Sequence, residues 1–193
     1  MERKALVFVR KKFCVVHQNL LGTVWQHTCV GAEVGVAIGT NALRTLKAMP
    51  NLRLLYLIDP YKHYPDWTST RAKDRRFWPE DLEITKRKAK EMLASFKNRV
   101  KWVFKFFEEC STKDIPELLD FIYIDGNHDY DFVFKDIDVA RKLVKKGGVV
   151  SGHDYRPESY SQDSLEVCRA VRDYCKKHDI VFSHEYEDWW FIN

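Results

Sequence analysis

The sequence predicts an α/β protein built on a doubly wound sheet with helices on both faces. Three observations carry that prediction. From Val30 onward, short apolar runs alternate with segments whose apolar residues recur at helical spacing. Five β/α units follow one another in this way, the order expected of parallel strands joined by crossovers. The chain then closes on two short segments, 180–183 and 187–192, that read as an antiparallel pair.

Each element has its own signal. Residues 30–36 (VGAEVGV) are an apolar run ending in glycine, and Thr40 is placed to cap a helix through Met49, with Ala42, Leu46 and Met49 on one face. Pro50 stops that helix. Residues 52–58 (LRLLYLI) read as a strand, and Pro60 biases Asp59 away from helix, so the strand ends on a carboxylate. Pro79, Glu80 and Asp81 suit a first helical turn, and Ala89, Leu93 and Phe96 continue its apolar stripe. Residues 100–107 (VKWVFKFF) alternate and then become aromatic, a strand pattern, and 118–124 (LLDFIYI) form another strand running into Asp125. Val133, Ile137, Ala140 and Val144 make a helix stripe across 129–146, closed by Gly147 at the C′ position. Residues 148–151 give a fifth buried strand leading to His153 and Asp154. Asp163 with Glu166 resembles a capping box that opens a helix to Lys177.

A length of 193 residues suits one domain, 1–193, with 1–29 as an N-terminal extension and 61–78 as a lid loop. With 45% hydrophobic and 31% charged residues the chain is globular, which excludes disordered and low-complexity classes, and a net charge of +4 does not by itself imply a nucleic-acid partner. The five cysteines, Cys14, Cys29, Cys110, Cys168 and Cys175, include no CxxC, so neither a disulfide framework nor a paired-thiolate zinc site is spelled out. The apolar run from Ala5 to Val9 precedes Arg10, Lys11 and Lys12 and is too short for a signal-peptide core or a membrane helix. A reducing, cytoplasmic setting without membrane contact is the expectation.

In an open parallel sheet, ligands collect outside the carboxyl ends of the strands. There the chain offers Gly35 and Gly39, then Asp59, then Asp125 and His128, then His153 and Asp154. Glycines at a strand-to-helix turn let backbone and ligand approach closely, and Asn41 lies at the following helix N-terminus. The spacing G-x-x-x-G does not meet the G-x-G-x-x-G dinucleotide fingerprint, and a packing turn explains the glycines equally well. Asp59 suits ribose hydroxyls, or a simple cap.

Four segments taken together resemble a known family. Glu33-x-Gly35-x-x-x-Gly39, the acid Asp59, the run from Ile124 through Asp125, Gly126 and His128 to Tyr130, and the run from Gly147 and Gly148 to His153-Asp154-Tyr155 look like class I S-adenosylmethionine-dependent methyltransferases. The branch is the small one with I-D-G-x-H-x-Y and G-G-x-x-x-x-H-D segments, methyltransferase domain 24-like, and the likeness covers residues 30–155. The resemblance implies a Rossmann-like seven-stranded sheet, mostly parallel with an antiparallel C-terminal strand. It further implies that Glu33, Gly35, Gly39, Asp59 and Asp125 contact the cofactor S-adenosylmethionine. Asp125, His128 and Asp154 match positions that serve metal binding or proton transfer in relatives, and His153 is a further candidate metal ligand. Where such families carry Gly-Asp-Ser on the adenine side, this chain reads Glu109-Cys110-Ser111, leaving Ser111 as the matching residue.

Chemistry supports the second half of that pattern. In the topology that the resemblance implies, Asp125 and Asp154 end neighbouring strands about 4.8 Å apart and can converge on Mg²⁺ or Mn²⁺, which prefer oxygen ligands. His128 suits a catalytic base, and Asp125 a catalytic partner. Bland alternatives stand beside these: His128 as a structural histidine, Asp125 as a helix cap, His153 as a residue that orients Asp154, and Trp189 and Trp190 as packing. The basic residues Arg71, Lys73, Arg75, Arg76, Lys86, Arg87, Lys88 and Lys90, with Tyr61, Tyr64, Trp67, Phe77 and Trp78 nearby, read as a substrate lid or as an RNA-binding face. The leading expectation is O-methylation of a small hydroxylated acceptor with help from a divalent metal, in a chain compatible with a homodimer. The alternatives are an RNA methyltransferase, an NAD- or nucleotide-sugar-binding oxidoreductase, and a non-catalytic cofactor-binding scaffold.

Overall fold

Seven strands form one sheet in the computed structural model, which describes residues 28–63, 79–158 and 162–193. They are β1 (Cys29–Val34), β2 (Leu52–Ile58), β3 (Val100–Val103), β4 (Leu119–Ile124), β5 (Val144–Gly152), β6 (Ser183–Glu185) and β7 (Asp188–Ile192). The order across the sheet is β3-β2-β1-β4-β5-β7-β6. Neighbours from β3 to β5 pair in parallel, and β7 runs antiparallel to both β5 and β6. This is the predicted mostly parallel sheet with its antiparallel C-terminal strand. The strand order reverses between β1 and β4, which directs attention to that end of the sheet.

Four helices cover the sheet among the described residues: α1 (Thr40–Ala48), α2 (Pro79–Met92), α3 (Tyr130–Leu143) and α4 (Gln162–Lys177). On one face Val133, Ile137 and Ala140 of α3 and Val167 and Val171 of α4 pack with Val34, Ile122 and Ile124. On the other, Ala42 and Leu46 of α1 and Leu93 pack with Leu55, Leu57 and Tyr123. β1 and β4 are buried along their whole length, which explains why they read as continuous apolar runs rather than alternating ones. Full burial of each larger aliphatic side chain stabilises the fold by about 1.5–3 kcal/mol. No described helix is long and apolar enough to cross a membrane. Cys29, Cys110, Cys168 and Cys175 are buried free thiols.

Several boundaries differ from the sequence reading, for physical reasons. β3 stops at Val103, because its partner β2 ends at Ile58 opposite that residue, and the aromatic run then turns so that Phe107 enters the core. The residue capping α1 is Gly39 at φ +82°, with Thr40 already helical. After α2 the chain continues as a 3₁₀ turn, Ala94–Arg99, in place of a helix through Phe96. Gly147 does not close a helix. α3 ends at Leu143, β5 begins at Val144, and Gly147 at φ +77° lies where the β4–β5 register shifts, its N–H donating to the Asn193 carbonyl at 2.9 Å. The Asp163 capping box rests on a side chain outside those described, as do the 1–27 part of the N-terminal extension, residues 64–78 of the lid loop and Arg71, Lys73, Arg75 and Arg76.

Candidate active site

At the β1–β2 end of the sheet, polar groups hold the chain itself. A Cβ on Gly35, at φ +82°, would fall 1.9 Å from the backbone oxygen of Asp125, so this turn needs glycine because the exit loop of β4 crosses it. Asp59 gathers three backbone donors: the N–H groups of Val36 and Ala37 donate to Oδ2 at 3.0 Å each, and that of Tyr61 donates to Oδ1 at 2.8 Å. Burial raises the Asp59 pKa despite those bonds. The Tyr61 hydroxyl donates to the Ala37 carbonyl at 2.8 Å. Ala37 and Tyr61 have φ of +47° and +46°, each costing on the order of 1–3 kcal/mol of backbone strain.

Glu33 lies beneath this turn, 2% exposed, and accepts a hydrogen bond from Asn41 Nδ2 at 3.1 Å. Burial first, and the nearby Asp125 charge second, push its pKa up to about 8. Asn41 Oδ1 is buried and meets no hydrogen-bond donor among the described residues. Ser111 is exposed and occupied locally: its N–H and hydroxyl donate to Asp114 Oδ2 at 3.1 and 3.3 Å.

At the β4–β5 end, side chains face one another. Ile124 pairs with Gly152, and the His153 N–H donates to the Ile124 carbonyl at 3.0 Å, so the residues that follow are set side by side. His128 Nε2 lies 3.7 Å from Asp125 Oδ1 and 3.2 Å from Asp154 Oδ2. One ligand atom from each of Asp125, His128 and Asp154 falls within 4.8 Å of the others, and all three residues are half-buried. Two carboxylates and an imidazole with solvent access fit a hard divalent ion that keeps water ligands. Asp154 has φ +58°, a strained value for a non-glycine residue. Asp125 is not a helix cap, since Asp129 precedes α3.

His153 stands apart from that group. It is 6% exposed, with Nδ1 2.8 Å from Asp188 Oδ1 and Nε2 3.1 Å from Glu187 Oε2. Burial lowers its pKa, but the Asp188 bond and the Asp125 and Asp154 charges outweigh burial and leave it raised. The Tyr123 hydroxyl also donates to Asp188 Oδ1, at 2.8 Å. Arg156 Nη2 approaches Asp154 Oδ1 at 3.0 Å and Glu187 Oε2 at 2.6 Å. Arg156 also borders a cavity of about 480 Å³ with Pro157, Glu158, His184, Glu185 and Tyr186. Trp189 and Trp190 are buried packing residues.

A family model described as a methyltransferase domain matches residues 32–155, more than half of the chain and the span that holds Glu33, Gly35, Gly39, Asp59, Asp125, His128, His153 and Asp154. The chain belongs to this methyltransferase family. It is accordingly an S-adenosylmethionine-dependent enzyme. The fold of this methyltransferase is similar to that of the calicheamicin methyltransferase CalS11, with TM-score 0.61 and 14% identity over 91% of this chain and 76% of that one. It is also similar to the O-methyltransferase TomG of Streptomyces achromogenes, solved with S-adenosylmethionine, with TM-score 0.59 and 16% identity over 91% and 78%. An O-methyltransferase of Bacillus cereus, solved with S-adenosylhomocysteine, gives TM-score 0.59 and 14% identity over 96% and 84%. No curated protein matches the sequence.

Against the residues expected to serve the methyltransferase, the structure brings Asp125, His128 and Asp154 together. It sets Glu33, Gly35, Gly39 and Asp59 around one turn, gives His153 to the C-terminal hairpin, and leaves Ser111 in a surface turn. Arg156, Glu187, Asp188 and Tyr123 escaped the sequence reading. Arg156, two residues beyond Asp154, and the acid pair before Trp189 were the available signals.

Proposed function

We propose that this methyltransferase O-methylates a small hydroxylated acceptor, with Asp125 and Asp154 holding a divalent ion and His128 receiving the acceptor proton. The observation that carries this reading is the convergence of Asp125, His128 and Asp154 at the ends of two adjacent parallel strands. When bound, such an ion supplies Lewis acidity that lowers the pKa of an acceptor hydroxyl.

The residues of the chain divide the remaining work. Glu33 and the unmatched Asn41 Oδ1 offer buried acceptors suited to the ammonium group of S-adenosylmethionine. Asp59 Oδ1, which among the described residues accepts the Tyr61 N–H alone, retains a lone pair for a ribose hydroxyl. Asp125 and Asp154 fix the acceptor side, and the cavity bordered by Arg156, whose Nη2 reaches Asp154, offers room for the body of the acceptor. His128 Nε2 takes the hydroxyl proton while the acceptor oxygen attacks the sulfonium methyl. The O–CH₃ bond forms as the S–CH₃ bond breaks, and the sulfonium leaves as a neutral thioether. Alignment of donor and acceptor within one site is itself a major source of rate.

Labelled S-adenosylmethionine offered with a panel of vicinal diols and phenols tests the reading. His128→Ala should lower turnover by about 10²–10⁴-fold while S-adenosylhomocysteine affinity holds. Asp125→Asn should abolish the part of the activity that Mg²⁺ restores after chelation. Full turnover in chelator would remove the metal, and full turnover in His128→Ala would remove the base.

A further inference from the structure

Arg156 sits where two carboxylates compete for one cation. Its Nη2 is 3.0 Å from Asp154 Oδ1 and 2.6 Å from Glu187 Oε2, while the other Asp154 oxygen, Oδ2, lies 3.2 Å from His128 Nε2. Asp154 therefore has one oxygen on the Arg156 guanidinium and the other toward the group formed with Asp125. Glu187 in turn lies 3.1 Å from His153 Nε2, and one ligand atom from each of His153, Asp154 and Glu187 falls within 4.8 Å of the others. A guanidinium nitrogen thus lies between two carboxylates that, with His153, form a second set of possible ligands.

The hold on Arg156 is uneven. The contact to Glu187 is the shorter one and is a hydrogen bond with good geometry, whereas Nε is buried without a hydrogen-bond partner among the described residues. A guanidinium cannot lose its charge in a protein, so a positive charge stands beside Asp154 at every accessible pH. A divalent ion reaching Asp154 Oδ2 meets that charge across a single carboxylate, and the two cations repel. Glu187 gives the guanidinium a partner to keep when Asp154 turns to the ion.

Resting on the metal reading above, we infer that Arg156, a half-exposed side chain of this same chain, competes as a cation with the divalent ion for Asp154, keeping the ion weakly held and excluding a second ion from the His153–Asp154–Glu187 group. It is a positioning residue, acting through Asp154. In the ion's absence it holds the Asp154 carboxylate in place, and in the ion's presence it limits both affinity and stoichiometry. A merely structural Arg156 predicts the opposite sign, since losing a support for a ligand weakens metal binding.

Mn²⁺ titration followed by electron paramagnetic resonance of the free ion decides between them, with S-adenosylhomocysteine affinity as the check that each variant is folded. The full-length protein, Asp125→Asn, Arg156→Gln and Arg156→Lys are compared. Arg156→Gln should bind Mn²⁺ on the order of tenfold more tightly, or take up one additional ion. Arg156→Lys, which keeps the charge, should stay near the parent protein. Equal or weaker binding in Arg156→Gln would overturn the inference while leaving the metal site intact, provided the parent binds Mn²⁺ and Asp125→Asn does not. Binding by Arg156→Gln alone would uphold the competing cation but refute the native metal site. No binding by either protein at millimolar Mn²⁺ would refute both.

Discussion

The two ends of the switch point use the same residue types to different ends. Between β1 and β2, Asp59 meets three backbone N–H groups, Tyr61 ties down Ala37, and Glu33 is buried beneath the turn beside Asn41. Between β4 and β5, Asp125 and Asp154 approach an imidazole and remain half-buried. The first arrangement builds a rigid cradle from polar groups, and the second leaves polar groups facing each other for a ligand to organise. A carboxylate at a strand end is thus either scaffold or reagent, and the identity of its partners, backbone or side chain, tells which.

This difference can be broken by substitution. The largest effect should come from Gly35→Val, which places a branched side chain in the left-handed region and against the Asp125 backbone oxygen. Loss of soluble folded protein is expected, read by circular dichroism and yield. Stable, folded Gly35→Val protein would mean that the β4 exit loop can retreat and that the cradle is not rigid.

Glu33→Gln should act next, and with a pH signature. A carboxyl whose pKa rises from 4.5 unfolded to about 8 folded binds its proton more tightly in the folded state. Its contribution is therefore fully present below pH 4.5 and is lost as pH rises through 8, by up to about 5 kcal/mol. Glutamine keeps the Asn41 bond without the titration. Urea unfolding of parent and variant at pH 5, 7 and 9 should show a stability gain that grows with pH. A constant difference would mean that the carboxyl is ionised in the folded protein throughout.

The smallest effect sharpens the comparison. Asp59→Asn replaces an oxygen of the carboxylate by an amide donor that cannot accept backbone N–H groups, and about 1–3 kcal/mol of stability should be lost. The urea midpoint should fall at unchanged slope. Were Asp59 primarily a ligand contact, stability would hold and only S-adenosylmethionine affinity would drop.

Strand-end positions were legible in the sequence because each apolar run terminates in glycine, proline or a carboxylate, and those punctuators are local. Asp59, Asp125 and Asp154 were found that way. What those carboxylates touch was not legible. That Asp59 receives the Val36 and Ala37 N–H groups depends on the β1–β2 register, and that His153 turns toward Asp188 depends on β7 entering the sheet antiparallel beside β5. β3 was overextended for a similar reason: an aromatic run carries strand propensity, but a strand ends where its partner does. Gly147 misled because a glycine after a helix stripe signals a cap and a bulge alike.

The antiparallel insertion of β7 also has a bearing on how the protein is made. Chains emerge from the ribosome amino end first, and early segments can begin to organise before later ones exist. Here the segment that supplies Glu187 and Asp188 to His153, and the Asn193 backbone that bonds both Gly147 and Gly148, is synthesised after every strand it completes. With β1 to β5 assembled and β7 not yet paired, Arg156 keeps Asp154 but lacks Glu187, and His153 lacks both Glu187 and Asp188. The arrangement makes the full set of partners around His153 and Arg156 depend on β7 entering the sheet beside β5.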